Sequence, residues 1–319
     1  MITYILVEKR MQSDRKYCRR AKKRKFHGNR YTKFDSTTMS DNENDIVTSL
    51  APEFPTLWER GRIVGNGTFG QVFIVKEKGA DEEKYVGKEI RISNAKKDRA
   101  ENIVELDVLM KIKHPKIVSF YGYEQSQFNV IIFLENMSMG SIREFLKANG
   151  AFPEEKNRQY TRQILEGLKY LHGRSPPIIH RDIKGANILL KDETSVKLTD
   201  FGLSKVIHSA TNARSVHGTY YWMAPEIVSA DEKNPYDVRA DIWSVGCTVV
   251  EMATTVPPYN DLKPTQVIVA LAKETKPMYT LPESASNAMK QFLEQTFQIN
   301  PASRPTAAEL MDHIFVANV

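Results

Sequence analysis

Asp182, Lys184, Asn187 and Asp200 sit in the run Ile178-Ile-His-Arg-Asp-Ile-Lys-Gly-Ala-Asn-Ile-Leu-Leu190 and in Lys197-Leu-Thr-Asp-Phe-Gly202, which follows it. A carboxylate such as Asp182 can accept a hydroxyl proton, and an ammonium such as Lys184 can neutralise a phosphoryl group in transit. Asn187 and Asp200 supply the hard oxygen ligands that Mg2+ prefers. The apolar runs at 188–190 and 196–198 read as short buried strands about a turn at Lys191-Asp-Glu-Thr194. A small hairpin is therefore predicted to hold these polar groups at its mouths, converging on one spot. Together they are equipment for phosphoryl transfer.

Other elements must bring a phosphate to that spot. Gly65-Asn-Gly-Thr-Phe-Gly-Gln-Val72 carries a Gly-x-Gly-x-x-Gly pattern, which by itself is shared with dinucleotide-binding folds. There the last glycine opens a helix, whereas here the β-branched, apolar Val72-Phe-Ile-Val75 follows, so the glycines are expected to join two antiparallel strands. Lys84-Tyr-Val-Gly-Lys-Glu-Ile90 reads as the next strand and 100–113 as a helix by its apolar period. Asn129-Val-Ile-Ile-Phe-Leu-Glu-Asn-Met137 is a buried strand, and the chain then turns helical. Residues 155–172 place Tyr160, Ile164, Leu168 and Leu171 on one face. Residues 240–252 are apolar nearly all round and must be central, so the charged Asp241 among them needs partners. Thr306-Ala-Ala-Glu309 is a capping box expected to open the final helix.

The order His-Arg-Asp-x-Lys-x-x-Asn, Asp-Phe-Gly and Ala-Pro-Glu resembles the eukaryotic protein kinases, from about Trp58 to about Phe315. The resemblance implies an α+β, bilobal protein-kinase fold: a small, mainly antiparallel β N-lobe with one key helix (about 58–135), then a larger α-helical C-lobe (about 138–316). It makes Asp182 the catalytic base, Lys184 its partner, and Asn187 and Asp200 the Mg2+ ligands. ATP would be covered by the flap Val64, Gly65, Asn66, Gly67, Thr68, Phe69, Gly70 and Val72, with Lys88 on its α- and β-phosphates. Glu105 is matched to the helix glutamate that pairs with Lys88, and Glu101 is the fallback. Leu109 would pack behind that pair, towards Phe120, Phe201 and His180. Leu134 takes the gatekeeper position, the backbone from Glu135 to Met137 would bond the adenine edge, and Leu189 belongs to the nucleotide site. Asp241 would bond the catalytic-loop backbone, and Glu226 would pair with Arg304. Residues 200–226 would form the activation segment. Arg181 implies phosphate control there, by an upstream kinase or autophosphorylation at Ser209, Thr211 or Ser215, while Thr219 would sit near Asp182 and Lys184.

Lys184, two residues after the base, is the serine/threonine-kinase arrangement. Trp58-x-x-Gly61, Lys88-Glu-Ile90, His-Arg-Asp-Ile-Lys-Gly-Ala-Asn and Tyr221-Trp-Met-Ala-Pro-Glu226 are similar to the MAP kinase kinase kinase group, which implies a MAP kinase kinase as protein substrate. Departures from the pattern are Tyr220 in place of a common proline, the longer loop Gly173-Arg-Ser-Pro-Pro177, Met139 in place of a second glycine, and Gly87. Gly87 is read as replacing the alanine whose methyl touches adenine, with a loss of contact and of strand rigidity. That makes a pseudokinase or scaffold, binding nucleotide without efficient turnover, the alternative to an active serine/threonine kinase.

The formal charge of +6 belongs to one end. Residues 1–34 hold 12 Lys and Arg against Glu8 and Asp14, a net +10, so residues 35–319 together carry −4. Residues 1–50 are expected to be a disordered basic arm and polar linker, ahead of a kinase domain over 51–319. The basic run 15–25 reads as a solvated arm or a nuclear-import signal. Its interleaved aromatics have no folded platform, so nucleic acid is not an expected partner. No apolar run is long enough to span a bilayer, and the two cysteines indicate neither a disulfide framework nor a zinc site. A cytoplasmic location follows as the expectation, with the nucleus open through the basic run.

Overall fold

Six antiparallel strands come first: β1 (Val47–Leu50), β2 (Trp58–Gly67), β3 (Gly70–Glu77), β4 (Tyr85–Arg91), β5 (Phe120–Gln125) and β6 (Asn129–Glu135). They lie in the order β1-β5-β6-β4-β3-β2. The computed structural model describes residues 47–55, 57–67, 70–79, 82–91, 106, 107, 109–126, 128–200, 220–229 and 237–317. The basic run 15–25 and Phe201, Ser209, Thr211, Ser215 and Thr219 lie outside the described residues.

β2 and β3 form the expected hairpin, with Gly65 opposite Val72 and Gly67 opposite Gly70. Gly70 has φ +156°, and a Cβ there would lie 1.7 Å from the carbonyl oxygen of Glu89, so no other residue fits beside β4. Phe73, Ile74 and Val75 are all buried, because β3 is covered on both faces. The strand preceding Trp58 was not anticipated. β1 pairs with β5, Ala51 N donates to Tyr121 O at 2.7 Å, and Phe54 inserts between Tyr85 and Phe133, its ring 5.0 and 4.5 Å from theirs.

Gly87 requires a correction. Successive residues of a strand face opposite sides, so Gly87 points away from the face that carries Lys88. It stands opposite Phe73 in the β3–β4 ladder, and a Cβ on it would fall 2.4 Å from Phe73 Cζ. The missing methyl makes room for an aromatic ring on the outer face, where Phe73 packs with Phe54, Val75 and Phe133. Val86, two residues before Lys88, is the one that shares its face.

Leu106, Asp107 and Leu109 are helical, and Leu106 and Leu109 are buried with Phe120. Tyr123 Oη donates to Asp107 Oδ1 at 3.1 Å, tying that helix to β5.

The helical part follows: α1 (Ile142–Asn149), α2 (Glu154–His172), the hairpin β7 (Ile188–Asp192) and β8 (Ser195–Leu198), α3 (Pro225–Ser229), α4 (Arg239–Thr254), α5 (Pro264–Ala272), α6 (Asn287–Thr296), α7 (Ala307–Leu310) and α8 (Ile314–Ala317). Every residue of α4 from 240 to 253 is buried, as its unbroken apolar pattern requires. α2 buries Tyr160, Ile164, Leu168 and Leu171. Thr306 caps α7 through the expected capping box, although α8 and not α7 is last. The chain thus adopts the expected two-part α+β arrangement. Among the described residues no helix is long and apolar enough to cross a membrane.

Candidate active site

Lys88 Nζ donates to Asp200 Oδ2 at 2.6 Å across 112 residues of sequence, joining β4 to the end of the β7–β8 hairpin. Nearby, Asp182 receives two donors: Lys184 Nζ at 2.8 Å on Oδ1 and Asn187 Nδ2 at 2.7 Å on Oδ2. The amide nitrogen of Asn187 also bonds Asp182 O, which leaves its carbonyl oxygen as the side-chain group that can face a cation. Burial alone would raise the Asp200 carboxyl, but Lys88 beside it, through its charge and its hydrogen bond and with Lys184 adding to the field, holds it below the ordinary carboxylate range. Asp200 is thereby ionised at neutral pH and suited to a divalent ion.

This loop is held in an unusual backbone conformation. Arg181 and Asp200 both have positive φ, 71° and 64°, which costs a non-glycine residue about 1–3 kcal/mol unless the surroundings enforce it. Asp241, 1% exposed at the start of α4, supplies the enforcement at Arg181. Its carboxylate accepts from His180 N and Arg181 N, each at 2.8 Å, and lies 2.8 Å from His172 Nε2. The partners demanded by a buried charge are therefore the backbone amides of His180 and Arg181, just ahead of Asp182. Burial pushes the His180 imidazole down, so it is neutral at neutral pH.

Glu251, on α4, holds the same loop from the other side. Its Oε2 accepts from Gly185 N at 2.9 Å and from Trp222 Nε1 at 3.0 Å, so one oxygen joins the loop to the residues just before Ala-Pro-Glu226. Burial drives this carboxyl above its ordinary range, the two donors and Arg143 opposing the shift. Glu226 forks onto Arg304 as expected, with Nη1–Oε1 2.7 Å and Nη2–Oε2 3.1 Å.

At the junction of the two parts, Glu135 N donates to Ser119 O and Asn136 N to Lys84 O, which orients the backbone leading to Met137. Leu134 packs beside the cluster of Ile90, Leu106, Leu109 and Phe120. Val64 is 43% exposed on the flap, Val72 is paired with Lys88, and Leu189 is less buried than its neighbours Ile188 and Leu190. Thr68, Phe69, Glu101 and Glu105 lie outside the described residues, as does the side chain of Asn66.

Among the described residues no three His, Cys, Asp or Glu side chains are grouped to hold a metal by themselves. Mg2+ fits such a site, because it keeps several waters and is bound by one or two protein groups together with phosphate oxygens. Sequence reasoning missed His172, Glu251 and the side-chain partners of Glu135, all of which act across long sequence separations. A lysine inside the apolar strand Val196-Lys197-Leu198 was the only local signal.

The model of the protein kinase domain family matches residues 58–316. The chain belongs to the protein kinase domain family. This kinase domain is 39% identical over 275 residues to mitogen-activated protein kinase kinase kinase 3 of Arabidopsis thaliana, covering 84% of the chain and 44% of the relative. It is 40% identical over 265 residues to mitogen-activated protein kinase kinase kinase YODA of Arabidopsis thaliana, covering 82% and 29%. With mitogen-activated protein kinase kinase kinase 3 of Homo sapiens it shares 38% over 293 residues, covering 86% and 45%. The chain spans less than half the length of these curated relatives. Protein kinases generally use ATP and Mg2+, which agrees with the groups gathered here.

Proposed function

We propose that this kinase domain transfers the γ-phosphoryl group of ATP to serine or threonine hydroxyls, and that its protein substrate is a MAP kinase kinase met in the cytoplasm. The carrying observation is the arrangement of Asp182, Lys184 and Asn187 in mutual hydrogen-bond contact with Lys88 and Asp200 joined next to them. Asp182 takes up the proton of the substrate hydroxyl. Lys184, 2.8 Å from it, reaches the same oxygen and offsets charge on the transferring group. A short Ser or Thr side chain suits a base and a lysine this close together. Lys88 and the N–H groups of the flap orient the α- and β-phosphates, and backbone groups between Glu135 and Met137 bind the adenine edge. Asn187 and Asp200 would hold Mg2+, whose charge screens the phosphate oxygens when it is bound. Acceleration then comes from positioning and charge stabilisation, with no covalent intermediate. Phosphorylation at Ser209, Thr211 or Ser215, by an upstream kinase or by the chain itself, is the proposed control through Arg181.

The alternative of a nucleotide-binding scaffold rested mainly on Gly87, and Gly87 faces the outer aromatic cluster. The test incubates the full chain with radiolabelled ATP and a catalytically dead MAP kinase kinase. Label is expected on Ser or Thr, with Asp182→Asn lowering the rate about 10²–10⁴-fold. Phosphotyrosine would overturn the substrate class, and equal labelling by wild type and Asp182→Asn would favour the scaffold.

A further inference from the structure

A buried ion pair joins the segment between the lobes to the strand that leads to Asp200. Lys197 Nζ, from β8, donates to both oxygens of Glu135, at 2.6 and 2.8 Å, and Lys197 is 7% exposed. Ser119 adds its N–H at 3.2 Å and its hydroxyl at 3.1 Å to the same carboxylate. The connection closes into a ring. Leu198 N donates to Lys116 O, Val118 N donates to Leu198 O, and the chain from 116 to 119 returns to Glu135. Burial would raise the Glu135 carboxyl, yet Lys197 and Ser119 hold it below its ordinary range, so this carboxylate keeps its charge at neutral pH.

Such a pair adds little net stability, because desolvating two charges offsets most of their attraction, and an apolar side chain among Val196 and Leu198 would serve the core as well. Its consequence is geometric. Glu135 ends β6 at the backbone assigned to the adenine edge, and Asp200 stands three residues beyond Lys197.

We propose that the Lys197–Glu135 pair is a positioning device for MgATP, fixing the separation between the adenine-binding backbone and the metal-binding carboxylate. Neither side chain touches the reacting atoms. The inference rests on the kinase reading above and assigns these side chains a part in it. A ligand that spans both ends must sense the pair, whereas adenosine, which ends at the ribose, must not.

The test measures calorimetric affinities of the full chain for MgATP and for adenosine, beside steady-state kinetics. Lys197→Met is expected to weaken MgATP about tenfold, in the range of groups that orient metal ligands, while adenosine stays within about twofold. The KM for ATP rises more than kcat falls, and Lys197→Arg restores MgATP affinity. The double variant Glu135→Gln with Lys197→Met leaves no unpaired buried charge, and it shows the same selective loss should the single variant fail to fold. Equal loss of both ligands, or no loss of MgATP in either variant, overturns the proposal. Failure of the kinase reading shows instead in the wild type, which would bind neither ligand and transfer no phosphate, and both would fall together.

Discussion

Lys88 and Asp200 are ion-paired at 2.6 Å, with side chains 14% and 27% exposed. Lys88 thus outweighs the burial that would otherwise protonate this carboxylate.

A carboxyl held below its ordinary range contributes stability above the unfolded carboxyl pKa, and that contribution is lost as pH falls through the folded value. Asp200 follows this pattern in the wild type. In Lys88→Met burial remains without its counterweight, so the Asp200 carboxyl rises and the acid-side contribution disappears. Urea denaturation between about pH 3 and about pH 7 is expected to give a shallower rise of stability with pH in Lys88→Met. Parallel curves for the two proteins would show that the pair does not set the Asp200 charge.

Asp241→Asn is expected to destabilise the loop although it is nearly isosteric. Asp241 accepts from His180 N and Arg181 N on separate oxygens, and an amide offers one oxygen and one NH2. One buried N–H then faces another donor, at a cost of about 1–3 kcal/mol, and the left-handed Arg181 backbone loses an anchor. Denaturant midpoints and kcat should fall together.

Glu251 has the opposite sign to Asp200. Its raised folded pKa means that its contribution is complete below the ordinary carboxyl range and declines as pH rises through the folded value. Glu251→Gln keeps an oxygen for Gly185 N and Trp222 Nε1 and removes the charge. Its stability is therefore expected to match or exceed wild type at about pH 8 and to vary less with pH down to about pH 5. Glu251→Ala deletes the acceptor and loses about 1–3 kcal/mol. An unchanged pH slope in the Gln variant would refute the assignment.

Gly87→Ala separates the two readings of that position. The new methyl would strike the Phe73 ring, and overpacking of this kind costs about 1–3 kcal/mol. The KM for ATP should hardly move, because the methyl enters the outer aromatic cluster. A large gain in ATP affinity would restore the adenine-facing reading.

What was legible in the sequence was what is local or periodic. Asp182, Lys184 and Asn187 lie within one loop, so their contact follows from spacing, and α4 announces its burial by having no polar face. Pairing between distant elements left little trace: nothing near Glu135 names Lys197, and nothing near Gly185 names Glu251. Gly87 was misread by a single step along a strand, where one step changes the face. Val47-Thr-Ser-Leu50 is too short and too polar to tell a strand from a linker by pattern, and its pairing with β5 decides its conformation.

That pairing also bears on how the domain is handled. With β1 in place, the ladder of β5 from Gly122 to Gln125 has a partner and Phe54 covers Tyr85 and Tyr121. A chain cut just ahead of Trp58, where the kinase motifs begin, would bare those amides and rings together. An unprotected sheet margin recruits strands from other molecules. Such a truncation would self-associate with rising concentration, and its loss of soluble protein would imitate a catalytic defect.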